Sequence, residues 1–560
     1  MDAKMRHEEA RFDVELALSK LPDRKRGGWV TFPFIAGNLL FMGIAMGGAN
    51  ANLIVYLIQK FGMESIDAAQ VSNIVNGCVN LTPIAGAIIA DSYFGCFSIV
   101  AVASFIAFLG MVLFTLTTSL PSLRPHQCSK AATTVSCSGG GPSTSQIAVL
   151  YSALALMVIG GGGSRFTNAT LGADQFNTAR DQDVFFNWYF VVFYVSSIIG
   201  STVIVYIEDN VGWGFGLGIC AAVNAAAVVV FLIGRRFYRV TEVTGSPFTG
   251  LARVVVASVV KWGVDEEGAE YYYSSKLDGQ GTPSQSFRFF NRAAIQVKGD
   301  TNPDGTVAKP WRLATVEQVE DLKALIKIFP LWSSSPLLSI TIGIQLSMTI
   351  LQALKMDRHI GGTFSIPPGS VSIGSLASVA LTLPLLDRAV YPAFQRYMGR
   401  APNPLQRIGA GHILNFIGMA GSALVERARL RSGPAHLTSV LWLLPPLVVT
   451  GVGEALHFPG QVGLYYQEFP EALRGTSTAM ISLIVAIGFY MSTAVVGLVR
   501  RTTGWLPDNI DAGRVDKVYW MLAVVGMINF CYYVVCARLY KYQNKNKEEV
   551  GSEASDALST

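Results

Sequence analysis

The stretch IAVLYSALALMVIGGGGSRFTNATLGADQF, residues 147–176, decides how the chain is read. Its apolar and small residues run for the roughly twenty positions a helix needs to cross a bilayer, and Arg165 follows without an intervening turn signal. Polarity becomes loop-like only near Asp174. A charge at a bilayer centre costs roughly 2.5–3.5 kcal/mol on insertion scales, so Arg165 is expected to face a cavity or a partner. One acidic counterpart lies equally deep, Glu454 in VTGVGEALHFPG.

The rest of the chain agrees with a membrane reading. Of 560 residues, 51% are hydrophobic and 14% charged, against about 25% charged in soluble proteins. The net charge of +5 comes without a basic stripe interleaved with aromatics, which argues against a nucleic-acid partner. The first 28 residues alternate charges and lack the apolar centre of a signal peptide, so a cytoplasmic N-terminal tail is expected. Of seven cysteines, Cys128 and Cys137 share one polar loop. A local disulfide and two free thiols are both open readings there. No CxxC or HExxH spacing occurs, and neither a metal nor a cofactor is expected. The NxT matches at Asn80 and Asn168 fall inside spans, where glycosylation is not expected.

Twelve apolar runs mark membrane helices, near 31–57, 71–90, 97–119, 147–169, 185–206, 213–234, 328–352, 368–386, 408–425, 437–458, 476–499 and 516–537. They divide six and six about a polar, basic segment. The expected organisation is an N-terminal tail (1–28), a six-helix bundle (29–235), a cytoplasmic loop with a short membrane-lying helix (236–325), a second bundle (326–540) and a C-terminal tail (541–560). Of the 43 Lys and Arg, 30 fall on the side holding the termini, which makes that side cytoplasmic. The outer loop with Arg427, Arg429 and Arg431 runs against this bias. The fold class is therefore an all-α membrane protein. Its two six-helix bundles match the major-facilitator architecture, which binds substrate near the midplane between halves that rock.

Arg165 and Glu454 occupy the fourth span of one half and the fourth of the other, equivalent positions that can both face a central cavity. A guanidinium is a permanently charged planar fork of donors, suited to a planar oxyanion. Two readings stand for Arg165: contact with substrate, or a structural pair with Glu454. Glu454 reads as the only carboxylate well inside a span. His457, three residues later, falls on the same helix face and is placed with it. The GGGG run at 160–163 has no preceding strand and no following GK[ST], so it reads as a site of close helix packing rather than a phosphate loop.

Several motifs carry a resemblance: GAIIADSYFG (86–95), GADQF (172–176), YIEDNVGWGFG (206–216), QVEDLKALIKIFPLW (318–332), LKMDRHIGGTFSIPPGS (354–370) and GEALHFPGQVGLYYQEFPEALRGTSTAM (453–480). Together they resemble the plant nitrate/peptide transporter family, a branch of the proton-coupled oligopeptide transporters. The resemblance implies a salt bridge between Arg165, where the family usually has lysine, and Glu454. It implies a structural motif at Asp91 and Gly95. The chain departs from the family in three places. Leu39, Met42 and Gly43 stand where proton-coupled members carry the acids and base of ExxE[RK]. The seventh span lacks the histidine of the family's best-known nitrate carrier; Gln345 in that span is assigned to the substrate-binding set with Arg165, Glu454 and His457. Cys96 replaces the usual basic residue after Gly95, and Ile99 a phosphorylatable threonine. A first helix without ExxE[RK] is most similar to the nitrate-excretion subgroup.

The expected function is alternating-access transport of small anions, nitrate first and chloride second, in a plant plasma membrane, by efflux or with little proton coupling. The partners are the anion and membrane lipid. A larger organic anion such as a glucosinolate or glycoside is the alternative substrate, and a transport-inactive sensor the alternative class. An enzyme is not expected, because the spans offer no nucleophile–base pair.

Overall fold

The computed structural model describes residues 26–125, 142–239, 247–265, 269–273, 283–302, 306–360, 364–400, 402–432, 437–469 and 477–540. Cys128 and Cys137 lie outside the described residues. Within them are twelve helices long and apolar enough to cross a membrane. They are α1 (Gly28–Ala51), α2 (Ser65–Ile89), α3 (Gly95–Ser119), α4 (Thr144–Ala173), α5 (Val184–Asn210), α6 (Trp213–Arg236), α7 (Ser335–Ala353), α8 (Pro368–Met398), α9 (Pro404–Ser432), α10 (Val440–Tyr465), α11 (Met480–Thr502) and α12 (Val515–Leu539). The first six pack as one bundle and the last six as another, with α2 lying along α11 between them. Lipid-facing surfaces stay apolar, as in the exposed row Val102, Phe105 and Leu109 on α3.

Local chemistry sets the helix ends. A capping box between Ser143 and Gln146 starts α4. Asn52 breaks the first expected span, and the chain continues as a second helix, Leu53–Phe61. The seventh expected span is likewise two helices, Val316–Ser333 and then α7, parted at Ser334 with Pro336 in the new first turn; proline there lacks only an N–H that would be unpaired anyway. Asp91 sits in a π-helical turn, Ala90–Phe94, which Gly95 leaves at φ 72°, a conformation glycine adopts without steric cost.

The GGGG run packs three helices against one another. A Cβ on Gly160 would lie 2.2 Å from the Ala107 backbone nitrogen, one on Gly161 2.7 Å from Met46 Cε, and one on Gly162 2.7 Å from Thr82 Cβ. Small residues here let α1, α2 and α3 close on α4.

The segment between the bundles builds its own small core. The helix Pro247–Val260 buries Val254 and Ala257 against Ala293, Ala294, Val316 and Val319. Lys261, buried beside it, donates to the Ile295 carbonyl at 2.6 Å and pairs with Asp300 at 2.9 Å. Burial pushes the Lys261 ammonium below the usual lysine range, and Asp300 opposes the shift.

The charge exception near residue 429 has a packing cause. Arg429 turns inward, gripping Glu426 through Nε at 2.8 Å and Nη2 at 2.9 Å and reaching Asp511 at 2.5 Å. Glu426, 0% exposed, also accepts from Gln352 at 2.6 Å. Arg429 is thus a structural counter-ion rather than an outer-loop charge.

The halves are tied at the end where α1, α5, α7 and α11 finish. Arg500 of α11 bonds Glu64 at 2.6 Å and Asp67 of α2, Arg358 pairs with Asp209 at 3.5 Å, and Ser370 donates to the Ser201 carbonyl at 2.7 Å. Every ion pair between the halves among the described residues lies at this end.

Two substitutions test the glycine seam. Gly160→Ala should destabilise the folded protein by about 1–3 kcal/mol through overpacking against α3. Gly218→Ala on α6, where a Cβ meets nothing within 4 Å, should leave the thermal unfolding midpoint at or above that of the unaltered chain.

Candidate functional site

A cavity of about 220 Å³ opens in the first bundle among α1, α2, α4 and α5. Among the described residues, Arg165 is the single charged one that lines it. The residues standing at the ExxE[RK] positions, Leu39, Met42 and Gly43, line it too. The absent acids are therefore absent from the wall that faces the guanidinium.

Arg165 is held from α5. Its guanidinium carbon lies 4.6 Å from the centroid of the Phe193 ring, and its backbone carbonyl accepts from Tyr189 Oη at 2.7 Å. Tyr189, Phe193 and the cavity-lining Ser197 recur every four residues, so they share one face of α5. The aromatic ring offers its electron-rich face to the cation and, being neutral, leaves the charge free for a ligand.

Ser164 and five asparagines, Asn38, Asn50, Asn76, Asn80 and Asn168, complete the polar lining among the described residues. Asn50 donates to Asn76 Oδ1 at 2.9 Å, and Asn76 and Asn80 each donate to the carbonyl four residues earlier. Asn38 and Asn168 are buried; Asn38 donates to Ser104 Oγ at 3.2 Å and Asn168 to the Ile35 carbonyl at 3.3 Å. In the sequence Asn80 and Asn168 stand out only as NxT matches inside spans. The signal for the site is amide side chains inside apolar spans, with Asn76 and Asn80 one helical turn apart.

Glu454 sits on α10 in the second bundle, half-buried, and accepts from Ser375 Oγ at 3.4 Å. Tyr194 of α5 packs across the gap against Val379, Leu386 and Ala455, within electrostatic reach of both Arg165 and Glu454. No ion pair joins Arg165 to Glu454 in this structure; Arg165 faces Phe193, and Glu454 faces Ser375.

Two residues expected in the binding set are turned elsewhere. Gln345 is buried and donates to Ser422 Oγ at 3.0 Å, binding α7 to α9. His457 is buried against α9, its ring 4.8 Å from that of His412 at 85°. Neither lines the cavity. The helix turn that separates His457 from Glu454 carries the histidine into the bundle's own interior, so the shared face inferred from spacing does not reach the site. Glu454 is also not alone: Glu208 and Glu426 are buried in helices as well. Both stand near helix ends, beyond the apolar runs that a hydropathy reading delimits.

A family model described as the POT family matches residues 97–512. The relative "Protein NRT1/ PTR FAMILY 2.7" of Arabidopsis thaliana is 46% identical, covering 96% of this chain and 97% of its own. "Protein NRT1/ PTR FAMILY 2.3" of the same plant is 44% identical, covering 97% and 98%. Among solved structures, an auto-inhibited POT family peptide transporter superposes with a TM-score of 0.68 at 16% identity, covering 91% of this chain and 97% of that one. The POT family transporter PepTSo gives 0.69 at 17% identity, covering 92% and 99%.

The placement of Gln345 is testable without a substrate. Ser422→Ala removes the acceptor of a buried amide and should cost about 1–3 kcal/mol of stability, read as a lower unfolding temperature of the purified protein. An unchanged midpoint would show that Gln345 is not held by α9.

Proposed function

The chain belongs to the POT family of membrane transporters, and from that premise we propose that it carries small anions, nitrate first and chloride second. One observation supports the reading above others: in a largely apolar cavity the polar lining is a guanidinium, neutral amides and two hydroxyls, with no carboxylate among the described lining residues. A wall of this kind favours one negative charge, which guanidinium and amide donors meet by charge-assisted hydrogen bonds. The volume of about 220 Å³ lies below the range of about 300–1,000 Å³ typical for drug-sized ligands, which favours an inorganic anion over a glucosinolate or glycoside. The same wall is a poor host for a zwitterion, whose ammonium finds no acid there.

Glu454 supplies the second half of the cycle. With Arg165 occupied by an anion the two stay apart; brought to 4 Å without one they attract by about 4 kcal/mol at an effective dielectric of 20. The anion and Glu454 thus compete for one cation, and that competition links binding to the approach of the halves. With no acid on α1 to carry a proton beside the substrate, flux follows the anion's own electrochemical gradient. An inside-negative potential drives a single negative charge outward by about 2.3 kcal/mol per 100 mV. Efflux across the plasma membrane is the corresponding role.

Proteoliposome flux of nitrate and chloride tests this. Arg165→Ala should lower nitrate flux at least about tenfold, a loss of about 1.4 kcal/mol. Leu39→Glu, which sets a carboxylate in the same cavity, should do as much. Equal flux in Arg165→Ala would overturn the site. Dissipating the proton gradient by changing pH only on the side that holds the termini, at constant membrane potential, should leave wild-type flux within about twofold, and its collapse would overturn the uncoupled mechanism.

A further inference from the structure

Glu208 is used by nothing above. It sits on α5 at the tied end of the bundles and is 1% exposed. Its Oε2 accepts from Asn52 Nδ2 at 3.0 Å, while Oε1 has no hydrogen-bond partner. No cation pairs with it among the described residues. Asn52, in the break after α1, has an orphaned oxygen of its own, the buried Oδ1. The site is tightly closed: a Cβ on Gly216 of α6 would come 2.5 Å from Glu208 Cγ.

The other half completes the closure. A Cβ on Gly369 would come 2.7 Å from the Ala51 carbonyl oxygen and 2.9 Å from Asn52 Oδ1, so the first turn of α8 rests directly on Asn52. The neighbouring Asp209 takes Arg358 across the seam, and Ser370 takes the Ser201 carbonyl. The groups facing Glu208 are few. Among the described residues Asp209 is the one charge, already engaged by Arg358. Tyr56, bonded to Thr117 and sensing Arg124, and Cys220 of α6 are its titratable neighbours.

We propose that Glu208 is a proton-binding site whose proton latches the two halves together at the end where α1 and α5 finish. An ionised carboxylate with one neutral donor and no cation, shut away from water, carries a desolvation cost of several kcal/mol. The two orphaned oxygens, Glu208 Oε1 and Asn52 Oδ1, are both acceptors when the acid is ionised. One proton on Oε1 turns that side into an O–H donor for Asn52 Oδ1, and the carboxyl and amide then share two hydrogen bonds. The proton comes from the aqueous side when the seam opens and water reaches the acid, and it returns there on ionisation.

The sign follows. The closed seam holds the proton more tightly than the hydrated, open one. Closure is therefore fully supported at acid pH and weakens as pH rises, by about tenfold in the closing equilibrium per pH unit beyond the transition, as one proton requires. The proton is a switch on the gate and need not cross with the substrate, so this inference stands apart from the anion reading and from ExxE[RK].

Amide hydrogen exchange of the purified full-length chain, followed by mass spectrometry and corrected for base catalysis, reads the seam without any substrate. Peptides spanning Gly48–Tyr56 and Pro367–Ser372 should exchange at a constant corrected rate in acid, then rise about tenfold per pH unit. Glu208→Gln, isosteric and unable to ionise, should abolish that rise. A flat wild-type profile, or the same rise in Glu208→Gln, would overturn the proposal. Should Glu208→Gln fail to fold, Glu208→Asp should keep the rise with a displaced onset, and an unchanged onset would count against Glu208.

Discussion

A guanidinium held in a protein wall with no anion opposite it is the constraint on which the rest turns. Such a charge is tolerated only where neutral dipoles and aromatic faces share its field, and Phe193 and the asparagines of the cavity are that environment. The arrangement leaves the guanidinium without a carboxylate among the described residues lining its cavity. On the proposed reading an entering anion supplies the missing negative charge, or Glu454 does so from the other half. Binding and conformational change are then two ways of meeting the same electrostatic demand, as differential stabilisation of two states requires.

The architecture was legible because its signal is long and repeated. Twelve runs of about bilayer length, predominantly apolar and nearly free of charge, leave little room for another fold. Arg165 and Glu454 stood out for the same reason, as charges where charges are costly. What remained hidden was direction. Spacing along a helix shows that His457 and Glu454 are neighbours, but only packing shows that one turns toward Ser375 and the other toward His412. Gln345 was hidden in the same way, its amide claimed by Ser422 within its own bundle. The asparagines were missed because an uncharged amide barely dents a hydropathy profile.

Charges at helix ends taught a second lesson. Arg429 looks like a violation of charge asymmetry until Glu426 and Asp511 are seen around it; a residue already neutralised by the fold no longer votes on topology. Glu208 is the opposite case. It lies at the edge of an apolar run, where a carboxylate ordinarily reaches water, yet α6 and Asn52 enclose it. Helix ends are thus where reading by composition and reading by structure part most often.

Gly43 carries a consequence of another kind. A Cβ there would lie 2.2 Å from Ser196 Oγ and 2.7 Å from Ser196 Cβ, so α1 and α5 have closed over the place where a basic side chain would stand. Restoring the acids at 39 and 42 would leave them without that base, and restoring the base alone would wedge two helices apart. A basic side chain at 43 therefore needs more than one substitution, because Ser196 must give way to it. The obstacle at position 43 is thus the Ser196 side chain of the neighbouring helix, so the two positions can change only together.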